Sequence, residues 1–118
     1  MAINKELFKG CSKTIILQLL ARQQLHGYEI SVKLKEASYG ELDITEGSLY
    51  PILHSLEADK CIEANWEISK GNRKKKVYSL TTKGRKSLKA KTKEWRHFLS
   101  TMDLLLSAKR EHHYGYAL

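Results

Sequence analysis

The stretch Ile44 to Leu56, ITEGSLYPILHSL, constrains the chain more than any other, because a short alternating segment, the polybasic turn SKGNRKKK (69–76) and VYSLTTKG (77–84) follow it at once. With Thr45 as N-cap, Ile44 stands at N′ and Leu49 at N4, the pair that forms a hydrophobic staple. Leu49, Leu53 and Leu56 then make a buried stripe at helical spacing, and Gly47, Ser48, Pro51, His54 and Ser55 face outward. A short helix whose outer side is small and polar fits a DNA major groove. Pro51 has no N–H to give to the Gly47 carbonyl, so the first turn is expected to be loose or bent, with backbone N–H groups and the Ser48 hydroxyl open to phosphate. A second start, with Asp43 as N-cap and Glu46 at N3, moves the boundary and keeps the face. Such a helix followed by a basic hairpin predicts a mainly α chain with a small β-hairpin, a winged helix-turn-helix.

The flanking segments fit that frame. Helical spacing starts near Leu7 and runs through Cys11, Ile15, Ile16, Leu19 and Leu20 to an end near Gln24. His26-Gly27 interrupts it, and Tyr28 to Ala37 predicts a second helix with Ile30, Leu34 and Ala37 inward, closed by Tyr39-Gly40. The turn from Gly40 to Ile44 separates helices two and three by the few residues a helix-turn-helix needs. From Ile62 the period falls to two, with Ile62, Ala64, Trp66 and Ile68 on one side and Glu63, Asn65, Glu67 and Ser69 on the other. The return strand, Lys76 to Leu80, would turn Tyr78 and Leu80 inward, and Gly71-Asn72 would supply the positive-φ residues of the tip. Arg73, Lys74 and Lys75 crowd that tip. Like charges so close destabilise a hairpin by themselves, whereas laid along a minor groove they are attracted to phosphates.

Thr81 or Thr82 caps a last helix in which Leu88, Trp95, Phe98, Leu99, Met102, Leu105 and Leu106 recur at heptad-like intervals. Its first half is otherwise polar, so Trp95 and Phe98 would be poorly covered in a monomer. A second copy of the chain is therefore expected over Leu88, Trp95, Leu99, Met102, Leu105 and Leu106. The expected division is a winged helix-turn-helix over 1–81, a dimerisation helix over 82–110 and a flexible tail over 111–118. In that tail His112-His113 lacks the two further ligands a metal site needs, and no metal is expected.

With 118 residues and 42% apolar content, a single domain can bury a core without metal or disulfide help. Thirteen of the 21 Lys and Arg fall in 60–96, against Glu63, Glu67 and Glu94 alone, while the remainder is slightly acidic. The net charge of +8 is thus a local patch, which points to a polyanionic partner addressed from one side. Cys11 and Cys61 sit among apolar neighbours with no CxxC spacing, as buried thiols of a reducing compartment do. MAINKELFKGCSK contains no long apolar run, and IILQLLA (15–21) is broken by Gln18, so no membrane segment is expected. A cytoplasmic protein without a cofactor is the expectation.

The motifs HGYEI (26–30), EGSLYPIL with SLE (46–53 and 55–57) and NRKKKVYSLTTKG (72–84), in this order, resemble the PadR family of bacterial transcriptional regulators, in particular its small members with one C-terminal helix. The likeness covers nearly the whole chain. It implies a homodimer that binds a pseudo-palindromic operator in double-stranded DNA with two winged helices and represses a neighbouring gene. By position it places DNA contacts on Tyr28, Thr45, Gly47, Ser48, Tyr50, Pro51 and His54, with wing contacts at Arg73, Lys74 and Lys75. One departure is visible: where the family commonly has Asp-Gly after the third helix, this chain has Asp59-Lys60-Cys61. The chain is also similar to the multidrug-binding members, in which tryptophans of two subunits line a pore for flat aromatic cations. That resemblance implies an effector site for a planar aromatic small molecule at Trp95 and Phe98, and Trp95 as plain dimer core is the alternative.

Within this frame Ser48 and His54 are the expected base readers, while Tyr28, Tyr50 and the Gly47 backbone hold phosphates. A ligand between the C-terminal helices would change the spacing of the two recognition helices and so the match to the operator. The competing reading is a winged-helix module for RNA or a protein partner, against which stand the small polar face of the third helix and the dimer seam. No enzyme is expected. Ser48 and His54 lie off the i, i+4 spacing on one helix, and no paired carboxylates or Gly-rich phosphate loop stand out.

Overall fold

Asn4 opens the first helix by accepting a hydrogen bond from the Glu6 amide at 2.8 Å, and the helix ends at an extended Gln23. The computed structural model describes residues 3–68 and 70–107. In chain order they form α1 (Lys5–Arg22), β1 (Leu25–His26), α2 (Gly27–Ala37), α3 (Glu46–Ala58), β2 (Ile62–Ile68), β3 (Lys74–Leu80) and α4 (Thr82–Leu106). Two compact units result, Met1–Leu88 and Lys89–Leu118.

The core of the first unit joins Ile16, Leu17 and Leu20 of α1, Ile30 and Leu34 of α2, the stripe Leu49, Leu53 and Leu56 of α3, and Tyr78 of β3. Each of the three α3 leucines is at most 1% exposed, and burial of a leucine side chain stabilises by about 1.5–3 kcal/mol. Thr45 is the N-cap of α3, its Oγ1 accepting from the Ser48 amide at 3.3 Å, so the start at Asp43 is not used. Pro51 sits inside α3 without ending it.

The hairpin carries a third strand. β3 lies in the middle of an antiparallel sheet ordered β1-β3-β2, with Leu25 opposite Tyr78 and Ile62 opposite Leu80. A two-residue strand is too short to show a period, which is why the sequence reads as a plain hairpin. Gly71 (φ 83°) and Asn72 (φ 59°) form the left-handed tip as expected. The inward side of β2 does not stay buried, however. Ile62 is 2% exposed, but Trp66 is 64% and Ile68 69% exposed, because the hairpin runs on past the helices that cover its base.

Both corners of the helix-turn-helix end in the same way. After α2, the Gly40 amide bonds the Lys35 carbonyl at 2.8 Å and the Tyr39 amide the Glu36 carbonyl at 3.2 Å. After α3, the Cys61 amide bonds Leu56 and the Lys60 amide bonds Glu57, both at 2.9 Å. These are Schellman closures, whose C′ residue must be left-handed: Tyr39 has φ 53° and Lys60 φ 61°. The missing glycine of Asp59-Lys60 therefore stands where its freedom matters, since a left-handed lysine costs about 1–2 kcal/mol and a glycine almost nothing. Part of that difference is offset by the larger entropy of an unfolded glycine. Lys60→Gly is expected to raise stability by about 0.5–1 kcal/mol, read as a higher urea midpoint at unchanged m-value; an unchanged or lower midpoint would contradict this account.

Thr81 fastens α4 to the corner. Its hydroxyl donates to the carbonyls of Lys60 (2.7 Å) and Cys61 (3.0 Å) and accepts from the Gly84 amide at 2.9 Å, so Thr81 rather than Thr82 is the cap. Gly84 is buried, and a methyl group there would collide with the Cys61 carbonyl oxygen and the Leu80 side chain. Leu88, expected among the contacts between two copies, is only 9% exposed and belongs to the core of the first unit. The first compact unit accordingly takes in the start of α4 as far as Leu88.

In the second unit, the Trp95 and Phe98 rings meet edge to face, 5.5 Å apart at 87°. Phe98, Leu99, Leu105 and Leu106 are half exposed or more, and Trp95 and Met102 are half-buried. The expected tail, 111–118, with His112-His113, lies outside the described residues. Among the described residues no helix is long and apolar enough to cross a membrane, and no three His, Cys, Asp or Glu side chains gather as metal ligands.

Candidate nucleic-acid interface

α3 presents Gly47, Ser48, Pro51 and His54 as exposed residues opposite its buried leucines. Thr45 is exposed too, but its hydroxyl already caps the helix and donates to Ser48 Oγ at 3.2 Å. It holds Ser48 in place as much as it can meet a ligand. The wing contributes Arg73 at the turn and Lys74 and Lys75 on the exposed start of β3. Strand alternation puts Lys74, Lys76 and Tyr78 on one face and Lys75 on the other.

The segment HGYEI is accounted for residue by residue. His26 pairs with Val77 in the sheet, and its amide donates to Glu29 Oε1 at 2.9 Å while its ring Nδ1 meets the same oxygen. Gly27 lies against Tyr50, whose Oη and Cε1 would be 2.9 and 3.2 Å from an added methyl group. Tyr28 is 66% exposed, and Ile30 is fully buried. The His26 amide and then the His26 side chain hold the Glu29 carboxyl below its ordinary range. What this bond contributes to folding is therefore present above the ordinary carboxylate range and lost as pH falls through the lowered value. Burial, aided by Glu57 and Tyr50, pushes the Tyr78 hydroxyl up.

Between the first turn of α2, Tyr50 and the inner face of the wing lies a cleft of about 790 Å³. Lys74, Lys75, Lys76 and Trp66 line its wing side. Lys76 Nζ stands 5.9 Å from the centres of the Trp66 and Tyr78 rings and 3.7 Å from Glu57 Oε1, so it is held between two aromatic faces and a carboxylate. Tyr28, Tyr50, Lys74 and Lys75 thus meet around one opening, while Gly47, Ser48, Pro51 and His54 share the outer side of α3. Trp95 and Phe98 belong to the other unit. Trp66 escaped the sequence reading because alternation placed it with the core. Its cross-strand partner is Lys76, and a lysine opposite an inward position was the signal that the covered face had ended.

The model of the transcriptional regulator PadR-like family matches residues 16–90. The chain belongs to that family. The matched span runs from mid-α1 through the wing to just beyond Leu88. Among relatives of this PadR-like regulator, Transcriptional regulator Rv3488 of Mycobacterium tuberculosis is 31% identical over 84 residues, 71% of this chain and 75% of its own. A PadR-like transcriptional regulator of Bacillus cereus superposes with a TM-score of 0.77 at 30% identity, covering 88% of this chain and 99% of its own. A transcriptional regulator of Clostridium thermocellum gives 0.82 at 26%, covering 90% and 100%. The PadR-like chain is accordingly a DNA-binding regulator of transcription, and its winged helix-turn-helix is the family fold.

Proposed function

We propose that this PadR-like chain is a ligand-responsive repressor that binds a pseudo-palindromic operator as a homodimer. The observation that carries the reading is the small, exposed, polar side of α3 set beside a lysine-bearing wing. In this reading Ser48 and His54 read base edges in the major groove, and Gly47 and Pro51 let the helix approach closely. Thr45, Tyr28 and Tyr50 fix register on phosphates, and Arg73, Lys74 and Lys75 supply affinity along the neighbouring backbone. Two copies join through Trp95, Leu99, Met102, Leu105 and Leu106, since α4 otherwise leaves large apolar side chains in water. A planar aromatic effector at Trp95 and Phe98 would favour one spacing of the two heads over another and so change operator affinity.

Selection of preferred duplexes from a random library, followed by mobility shifts, tests the core of this reading. Ser48→Ala is expected to lose roughly fivefold to a hundredfold on the selected site, within the range for one base contact, and little on random DNA. Equal loss on both would remove Ser48 from the base readers. A monomer at micromolar concentration in sedimentation would overturn the dimer, and unquenched tryptophan fluorescence across a panel of planar aromatic cations would overturn the effector site.

A further inference from the structure

The overhanging part of the wing leaves a combination that neither the base-reading helix nor the charged tip explains. On the face of the sheet that buries Tyr78 to 1%, Trp66 and Ile68 stand 64% and 69% exposed. Across the ladder Trp66 faces Lys76 and Ile68 faces Lys74. Apolar and cationic groups therefore stand side by side on this face of the wing, and of them Trp66, Lys74 and Lys76 line the cleft, which Tyr28 and Tyr50 line from the helices. A sugar–phosphate backbone offers the complementary alternation of apolar ring and anion.

We propose that this cleft seats the backbone of one strand of a DNA duplex, with Trp66 laid against a deoxyribose and Lys74 set on the adjoining phosphate. The proposal rests on the DNA-binding reading and adds to it a contact outside both grooves. When α3 occupies a major groove and the wing the minor groove beside it, the strand that divides the two grooves must pass between them. The cleft is bounded by Tyr50 of α3 and by the wing, so it lies on that path. Its carboxylates are already engaged: Glu29 by the amide and ring of His26, and Glu57, beside it, by Lys76. Lys76, held by Glu57 and by the rings of Trp66 and Tyr78, acts as a positioning residue for the indole.

Binding of a mixed-sequence duplex of about 30 base pairs is measured at several low salt concentrations for the parent chain, Trp66→Ala, Trp66→Phe and Lys74→Ala. Trp66→Ala is expected to weaken every duplex by roughly five- to tenfold at an unchanged salt slope, the signature of a lost apolar contact. Trp66→Phe should recover most of that loss, and Lys74→Ala should lower the slope by about one per chain. In protein labelled with 5-fluorotryptophan, the Trp66 resonance, assigned by its disappearance in Trp66→Phe, should shift on adding duplex and lose its sensitivity to heavy water. Because the ring is mostly exposed, the melting temperatures of these variants should match the parent's, which separates a contact from a fold defect. If Trp66→Ala binds within about twofold of the parent and the resonance stays put while Lys74→Ala still lowers the slope, the strand does not run through the cleft and the DNA reading survives. If the parent binds no duplex at low salt, the DNA reading falls and the seat falls with it.

Discussion

Gly84→Ala is expected to cost about 3 kcal/mol or more and to lower the melting temperature by more than about 10 °C. Two effects oppose each other at this position. Alanine is the better helix former by about 1 kcal/mol, and Gly84 lies in the first turn of α4. Yet the added methyl would strike the Cys61 carbonyl, which is backbone held by bonds from the Thr81 amide at 3.1 Å and the Thr81 hydroxyl, and which cannot swing aside as a side chain would. Relief would require α4 to lift off the corner after α3, breaking the Thr81 bonds and uncovering Leu88. The collision wins. Thermal melts followed by circular dichroism check this, with Thr82→Ala, an exposed neighbour, as the control. A Gly84→Ala chain as stable as the parent would mean that the approach of α4 to Cys61 is looser than the geometry states.

The largest expected effect on binding comes from the wing. Each phosphate neutralised on duplex DNA contributes about 0.9 to the dependence of log affinity on log salt, so replacing Arg73, Lys74 and Lys75 together by alanine should lower the slope by close to three per chain. Measured at about 0.1 M salt against a 1 M reference, three such contacts amount to roughly 500-fold. The loss should be the same on the preferred site and on random duplexes, because phosphates carry no sequence. All three side chains are exposed, so the melting temperature should move little. A slope change below one would remove the wing from the nucleic-acid surface.

The elements that strong periodicity defines were legible in the sequence: the leucine stripe of α3, the cap at Thr45, the positive-φ pair at the hairpin tip and the five basic residues around it all stand where spacing placed them. What was not legible depends on contacts between distant segments. β1 has no pattern of its own and exists because β3 offers it an edge. Trp66 obeys the alternation of a buried strand but lies beyond the helices that would bury it. Leu88 keeps heptad spacing with Trp95, yet Gly84 brings the start of α4 close enough to the corner for Leu88 to enter the core of the first unit. The cost at Lys60 was visible as a departure from a family habit, and only the left-handed backbone angle gives it a physical meaning.

The two-residue strand β1 joins positions roughly fifty residues apart along the chain, and closing a loop of that size requires much entropy to be surrendered before any bond repays it. Local helices and the hairpin can assemble early, whereas this lacing, like any non-local pairing, sets a slower tempo for the whole head. Once tied, it makes the base of the wing and the α1–α2 junction one cooperative unit, so the amide of the buried Leu25 should open to deuterium only when the entire head comes apart, whereas that of His26, bonded to the Glu29 carboxylate, can open with the first turn of α2 alone.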